Sequence, residues 1–212
     1  MKTDIKFKFL FISMLLLWSI STYAQPKVTS VDKQSLSEEI VYEGNIQLAL
    51  QWKDKEGQHL LLTTETGIYR NETFAHENDG QDAQLFAYHY LITNGHAVLK
   101  WRVNDFIKDC PVDIEASFIK NTTKVTDLNK DGISEIWLMY KLVCHGDVSP
   151  LDMKIIMYEA MQKHAMRGQN KIKMSPTETM GGTYTFDQAF TQAPAVFRTY
   201  ATSLWTKHIT GK

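Results

Sequence analysis

The segment VTDLNKDGISEIWLMY, residues 125–140, joins an oxygen-rich turn to a strongly apolar run. Its second part, EIWLMY, combines aliphatic and aromatic residues in the way that buried β-strands do. Its first part contains Asn-Lys-Asp-Gly, a combination that favours a tight turn. The segment therefore predicts a turn that leads into a central strand, with the rest of the sheet arranged around that strand.

Oxygen-bearing side chains occupy alternate positions of this turn. A hard cation such as Ca²⁺ takes about six to eight oxygen ligands, and alternate residues of a tight loop can supply several of them. Gly132 allows the positive φ that such a loop requires, because it has no Cβ. The alternative is a turn that binds no metal. The sequence predicts a structural Ca²⁺ site formed by Asp127, Asn129, Asp131, the carbonyl of Ile133, and Glu135.

The pattern D-x-N-x-D-G-x-x-E is similar to the calcium loops between strands in FG-GAP or integrin-type β-propeller blades. An EF-hand is not expected, because Leu138 stands where that motif needs a bidentate Glu and the residues around it are typical of a strand. Turns that contain Gly57, Gly95, Gly132 and Gly168 recur at intervals of about 36 to 38 residues, which is compatible with degenerate propeller-like blades. An irregular twisted sheet would give similar spacing.

Alternation of apolar and polar residues runs through most of the chain and predicts antiparallel strands. Asn94-Gly95 is a strong hairpin signal, and the strand after it would place Leu99 and Val103 on one face. Apolar residues recur at helical spacing after Pro194, which indicates a helix packed on a sheet. The predicted fold class is therefore mainly β, with antiparallel twisted sheets and an amphipathic C-terminal helix. Strands are predicted at residues 46–52, 59–65, 85–92, 98–103, 113–119, 135–143, 153–159 and 171–174.

Residues 1–24 have the pattern of a secretory signal peptide. Lys2, Lys6 and Lys8 precede an apolar run of about twelve residues, which is too short to span a bilayer comfortably. Ala24 supplies the small residue before the expected cleavage point. The mature protein is therefore expected to be a single β-rich domain, residues 25–212, exported to the periplasm or the outer surface of a bacterial cell.

The two cysteines of the chain are Cys110 and Cys144. In an exported protein, a lone pair of cysteines favours a disulfide. The alternatives are a cysteine nucleophile or a Zn²⁺ ligand that uses His145 as well. Adjacent residues of a strand point to opposite faces, so Cys144 and His145 would not easily share one metal.

An acidic loop is predicted at residues 71–84, NETFAHENDGQDAQ. Its carboxylates, Glu77, Asp79 and Asp82, could form a second cation site or contact a partner. The alternative is a solvated loop with no ligand.

The formal net charge of −1 indicates no large basic surface, so nucleic acid is not an expected partner. The sequence contains no G-x-S-x-G elbow, no H-E-x-x-H motif and no glycine-rich phosphate loop before a helix. No catalytic residue is predicted. A pair of carboxylates could still serve a hydrolase, although no particular pair stands out in the sequence.

Five blocks of the sequence carry a resemblance to a known family: WKDKEGQHLLLTT (52–64), DAQLFAYHYLI (82–92), FIKDCPVDIEASF (106–118), VTDLNKDGISEIWLMYKLVCHGDVSPLDMKIIMYE (125–159) and AMRGQNK (165–171). Together they resemble a family of small exported bacterial proteins named for surface polysaccharide biosynthesis. The resemblance implies a role in making or presenting lipopolysaccharide or capsule, and it brings no catalytic residues with it. The expected function is a non-catalytic exported domain whose partner is a surface glycan or an envelope assembly protein; the alternative is a periplasmic carbohydrate hydrolase.

Overall fold

A computed structural model describes residues 25–210. The predicted signal peptide, residues 1–24, lies outside this range. The first half of the described chain forms sheet I, whose strands lie side by side in sequence order and pair antiparallel. They are β1 (Thr29–Ser30), β2 (Asn45–Lys53), β3 (Gln58–Tyr69), β4 (Gln81–Thr93) and β5 (His96–Cys110).

The second half forms sheet II and a small ribbon. The chain passes through β6 (Asp113–Phe118), β7 (Lys124–Thr126), β8 (Glu135–His145), β9 (Asp152–Glu159), β10 (Gln162–Gln169), β11 (Lys171–Lys173), β12 (Thr179–Gly181) and β13 (Tyr184–Phe186). Sheet II has the spatial order β13-β10-β9-β8-β6, and β7 pairs with β8 as well. β11 and β12 pair only with each other. Because β8 pairs with β6, β7 and β9, the segment that opened the sequence analysis does lead into a central strand.

The two sheets pack face to face. One apolar cluster joins their inner faces, because alternate residues of each strand point inward. The mainly β, antiparallel prediction is confirmed. The described residues form a two-sheet sandwich rather than separate blades, so the blade-like alternative is not what is seen. The buried inner-face residues are Trp52, Leu61, Leu85, Ala87, Trp101 and Val103 of sheet I, and Ile136, Leu138, Tyr140, Ile156, Tyr158 and Ala165 of sheet II.

The outer faces are covered differently. Helices α1 (Gln188–Gln192) and α2 (Ala195–His208) pack on sheet II, which confirms the C-terminal helix. The buried face of α2 consists of Phe197, Ala201, Leu204 and Trp205, whereas Val196 lies outside this face and is exposed. Part of the outer face of sheet I is covered by the segment that precedes β2, which includes a short 3₁₀ helix, Lys33–Ser35. Across residues 25–210, no helix is both long and apolar enough to cross a membrane.

The predicted disulfide is present. Cys110 at the end of β5 is bonded to Cys144 in β8, with the Cα atoms 5.8 Å apart. The bond therefore links sheet I to sheet II.

Two local expectations are wrong, and five strands (β1, β7, β10, β12 and β13) were not predicted. Gly168 lies inside β10, paired with Met153 and Tyr184, so it is not part of a turn. Leu99 is exposed although Val103 is buried, because the β4–β5 register shifts at the intervening position and turns Leu99 to the other side.

Candidate metal centre

The loop that was predicted to bind Ca²⁺ lies between β7 and β8 and folds around its own side-chain oxygens. Oδ2 of Asp127 accepts the Gly132 N–H at 3.1 Å, and Oδ1 of Asp131 accepts the Ile133 N–H at 2.8 Å. Oδ1 of Asn129 accepts the Asp131 N–H at 3.2 Å. Gly132 has φ +86°, as the sequence requires. The first three predicted side chains thus each accept a backbone N–H group of the same small loop.

Asp127 is the most informative of them. Only 4% of the residue is exposed, and its Oδ1 atom has no hydrogen-bond partner. A buried polar atom without a partner costs about 1–3 kcal/mol, and more when the group is charged. An oxygen in this position is therefore well placed to accept a cation.

A further carboxylate reaches the loop from β9. The amide Nδ2 of Asn129 donates to Oε1 of Glu159 at 2.6 Å and to Oδ2 of Asp131 at 3.1 Å. Burial raises the pKa of Glu159, and the negative charges of Asp131 and Asp127 raise it further. Within residues 25–210, none of these three carboxylates forms a salt bridge. The sequence pattern missed Glu159 because it lies outside the nine-residue motif.

The Glu135 side chain, at the end of the loop, is hydrogen-bonded to residues at the start of the loop. It is fully buried; it accepts the Thr126 hydroxyl at 2.6 Å and the Leu128 N–H at 3.0 Å. Burial raises the pKa of Glu135 to about 7, against the effect of these hydrogen bonds. Ile133 is half-buried next to Gly132.

The donor set suits a hard cation. In the described part of the chain, no three His, Cys, Asp or Glu side chains are grouped so that they alone could hold a metal ion. The predicted set is mixed, with an amide oxygen and a backbone carbonyl beside the carboxylates, which is a combination that Ca²⁺ accepts. The donor set is thus compatible with Ca²⁺, and Ca²⁺ binding at this loop stays a prediction.

The loop is also attached to sheet I. Oδ2 of Asp54, in the β2–β3 turn, accepts the Ser134 N–H at 2.9 Å. The Lys55 N–H donates to the Gly132 carbonyl at 2.9 Å. This contact was not predicted from the sequence.

Asp54 begins a buried chain of polar side chains. Its Oδ1 lies 2.7 Å from Nε2 of His59, and Nδ1 of His59 lies 2.9 Å from Nε2 of His89. Trp52 stacks on His59 with the rings 4.9 Å apart, and Trp101 contacts His89. Burial acts to raise the pKa of Asp54, but hydrogen bonds from His59 and Ser134 outweigh it and hold that pKa well below its usual range. Burial lowers the pKa of His89 to about 3.

The acidic loop does not gather its carboxylates into one site. The predicted loop ends at Gly80, because β4 begins at Gln81 and contains Asp82. Asp82 is buried and accepts hydrogen bonds from the Asn71 N–H at 2.8 Å and from the ring of His76 at 2.7 Å. Asp79 is exposed and pairs with Arg70, and the side chain of Glu77 is exposed as well.

Asp109, at the end of β5, anchors the same loop. Its carboxylate accepts the backbone N–H groups of Glu77, Asn78 and Gly80 at 2.9–3.0 Å. The loop is therefore held by a hydrogen-bonded scaffold, and the three predicted side chains do different things within it.

A cleft of about 910 Å³ opens at one edge of the sandwich. Strands β2 and β3 line one side, and β6 with the connection that follows it lines the other. Glu65 and Glu115 both line the cleft. Oε1 of Glu65 accepts the Phe118 N–H at 2.7 Å, and burial raises the pKa of Glu65. Glu115 pairs with Lys141 at 3.1 Å.

Comparisons with protein-family models, curated proteins and solved structures found no match to this chain. Functional inference therefore rests on the contacts described above and on the sequence features that precede them.

Proposed function

We propose that this protein is an exported, non-catalytic domain that supports the biosynthesis of a surface polysaccharide, or binds one, and that Ca²⁺ stabilises its β7–β8 loop. The observation that carries the metal proposal is the buried Oδ1 of Asp127, which has no hydrogen-bond donor. The signal pattern of residues 1–24 and the resemblance of the mature chain support export and a glycan role. The disulfide is compatible with an oxidising compartment such as the periplasm or the cell surface.

The proposed ligand set is Asp127, Asn129, Asp131, the Ile133 carbonyl and Glu135, with Glu159 as an addition from β9. When bound, Ca²⁺ would supply positive charge to carboxylates that have no cationic partner among the described residues. Asn129 already bridges the loop to β9 through Glu159. A ligand that binds only the folded chain stabilises it by mass action, so the metal would act as a structural cross-link.

A thermal melt of residues 25–212 in EDTA and in millimolar Ca²⁺ tests the metal site. Exported modules bind Ca²⁺ at roughly 10⁻⁴–10⁻³ M. Calcium at about ten times Kd stabilises by roughly 1.4 kcal/mol, which raises Tm by about 2–4 °C for a chain of this size. The shift should vanish in Asp131→Ala and persist in Asp113→Ala, where another exposed aspartate is removed. Equal shifts in both variants, or none in the wild type, would contradict the site.

Binding of the mature protein to an array of bacterial surface glycans tests the glycan role. Retention of lipopolysaccharide or capsule fragments is expected from the resemblance. If no surface polysaccharide binds, the binding form of the proposal fails, whatever the calcium melt shows.

A second candidate function is a periplasmic carbohydrate hydrolase. It is favoured by the large cleft that contains both Glu65, with a raised pKa, and Glu115, which is ion-paired. Glycoside hydrolysis uses one protonated and one ionised carboxyl group, and different surroundings of this kind can separate their roles. Release of reducing ends from purified surface polysaccharide, abolished by Glu65→Gln and by Glu115→Gln, would decide for this function. No turnover by the wild type would count against it.

A further inference from the structure

The outer face of sheet I is covered along only part of its length. The segment before β2 packs on Phe86 and on the tyrosines that follow it in β4. Toward the other end of β4, the same face carries Gln84, and its register partner on β5 is Phe106. Asn104 and Phe106 are both exposed. This end of the sheet therefore presents side chains that nothing among residues 25–210 covers fully.

Phe106 is the most unusual residue of this surface. It is 57% exposed, although it sits within a fifteen-residue strand and not in a flexible loop. Beside it is a shallow groove of about 210 Å³, to which Tyr69 of β3 and Phe74 of the acidic loop also contribute. Binding sites for small ligands combine aromatic surfaces with a few placed polar groups. The aromatic part of such a site is present here.

The polar part is a chain of hydrogen bonds across three strands. Nδ2 of Asn104 donates to Oε1 of Gln84 at 3.2 Å, and Nε2 of Gln84 donates to the hydroxyl of Tyr69. These bonds fix the orientation of two amides and one hydroxyl. Each amide group has two donor hydrogens and two lone pairs on oxygen, so both retain capacity for a ligand. Lys108 Nζ lies 3.8 Å from the centre of the Phe74 ring and adds a cation at the rim.

The groove is held in shape before any ligand arrives. The ring of His76 stacks on that of Phe74 with the ring centres 4.5 Å apart, and His76 is hydrogen-bonded to the buried Asp82. Asp109 holds the neighbouring backbone of the loop, and it immediately precedes the disulfide-bonded Cys110. Preorganised groups lose less conformational entropy when a ligand binds. The long acidic loop thus forms a fixed wall of the groove.

We infer that this groove binds a saccharide ring. The ring's apolar C–H face lies on Phe106, and its hydroxyl groups exchange hydrogen bonds with Asn104, Gln84 and Tyr69. A protein interface core is more apolar than this surface, where one exposed aromatic ring is bordered by amides, a hydroxyl group and an ammonium group. The inference rests on the proposed glycan function and gives that function a location.

The test compares substitutions of Phe106 in the protein of residues 25–212, with immobilised lipopolysaccharide and capsular polysaccharide as probes. Wild type and Phe106→Tyr should bind, because both present a flat ring. Phe106→Leu keeps an apolar side chain without a flat ring and should bind at least roughly tenfold more weakly, as should Phe106→Ala, in line with losses at aromatic anchor residues. Asn104→Ala should also weaken binding. Val98→Ala is the control, since Val98 is 47% exposed on the same strand.

Each outcome separates the site from the function. If wild type binds and Phe106→Leu binds equally well, the groove is not the site, but the glycan function stands. If wild type binds neither probe, both the binding form of the glycan function and this site fail. Capture of an envelope protein that tolerates Phe106→Leu but not Phe106→Ala would show an apolar protein contact instead and would overturn the saccharide assignment. Thermal melts of every variant exclude misfolding as the cause of lost binding.

Discussion

Asp54 accepts the Ser134 N–H at 2.9 Å, although 80 positions separate the two residues along the chain. The bond joins the β2–β3 turn of sheet I to the last part of the loop before β8 of sheet II. The other oxygen of Asp54 contacts His59. One carboxylate therefore connects the proposed metal loop to the buried histidine pair between the sheets.

Removal of this carboxylate should destabilise the fold. In Asp54→Ala, the buried Ser134 N–H and the ring of His59 both lose an acceptor, at a cost of about 1–3 kcal/mol for each unsatisfied group. We expect the free energy of unfolding in urea to fall by about 2–4 kcal/mol. Glu56→Ala, in the same turn but exposed, is the control and should change stability by less than about 0.5 kcal/mol. Equal effects of the two variants would contradict the role of Asp54.

The folded protein should become less stable at acidic pH because of His89. Burial, and then the neighbouring His59, lower the pKa of His89 to about 3 from an ordinary value of 6.5. The unfolded chain therefore binds a proton more readily, so this contribution to stability is complete above pH 6.5 and is lost as the pH falls toward 3. Asp54 acts in the same direction at lower pH, since its pKa also lies below its usual range.

As the pH falls, His89 should lower the free energy of unfolding by at most about 1.4 kcal/mol per pH unit. Urea unfolding at several pH values between 7.5 and 4.5 measures it. In His89→Phe the ring remains among Trp52 and Trp101, but the titrating group is gone, so the pH dependence should be shallower. The slope is the readout, because loss of the hydrogen bond to His59 changes stability at every pH. An unchanged slope would show that other groups control acid stability.

Asp127→Asn should have effects of opposite sign in EDTA and in calcium. In EDTA the variant replaces a buried carboxylate, which has one unpartnered oxygen, with a neutral amide whose oxygen can still accept the Gly132 N–H. We expect a gain of about 1 kcal/mol there. In millimolar Ca²⁺ the wild type should be stabilised and the variant should not. Asp152→Asn, an exposed aspartate at the start of β9, should follow the wild type in both buffers. A loss of stability in EDTA would contradict the expectation that a neutral amide suits this buried position better than a carboxylate.

Loss of the Cys110–Cys144 bond should lower the free energy of unfolding by roughly 3–4 kcal/mol. The reason is that the bond closes a loop of about 34 residues and so reduces the conformational entropy of the unfolded chain. Guanidinium unfolding of Cys110→Ala/Cys144→Ala measures the loss, and the reduced wild type should match it. A difference of less than about 1 kcal/mol would indicate that the reduced, unfolded chain already keeps these two ends close together.

Most strands could be predicted from local pattern. Alternating residues identified β2, β4 and β6, and the apolar run after Asp131 identified β8. β10 was not predicted because only its three central residues are buried, and the polar residues Gln162, Lys163 and Arg167 lie on either side of them. The oxygen-bearing side chains of the loop were also readable, since they lie within nine residues of each other and form a local pattern. Glu159 was not, because it reaches the loop through the β8–β9 pairing.

By itself, the sequence determined the β class, the C-terminal helix, the cysteine pair and the oxygen-rich turn before β8, all of which follow from periodicity, residue type and short spacing. Only the tertiary structure decided that Asp54 meets Ser134, that Glu159 joins the loop, and that Phe106 is left exposed beside Asn104 and Gln84. The physical reason is that hydrophobic alternation specifies which face of a strand is buried but not which strand lies opposite. Strand register, a bulge near Leu99 and the packing of two sheets set those contacts, and they depend on the whole chain.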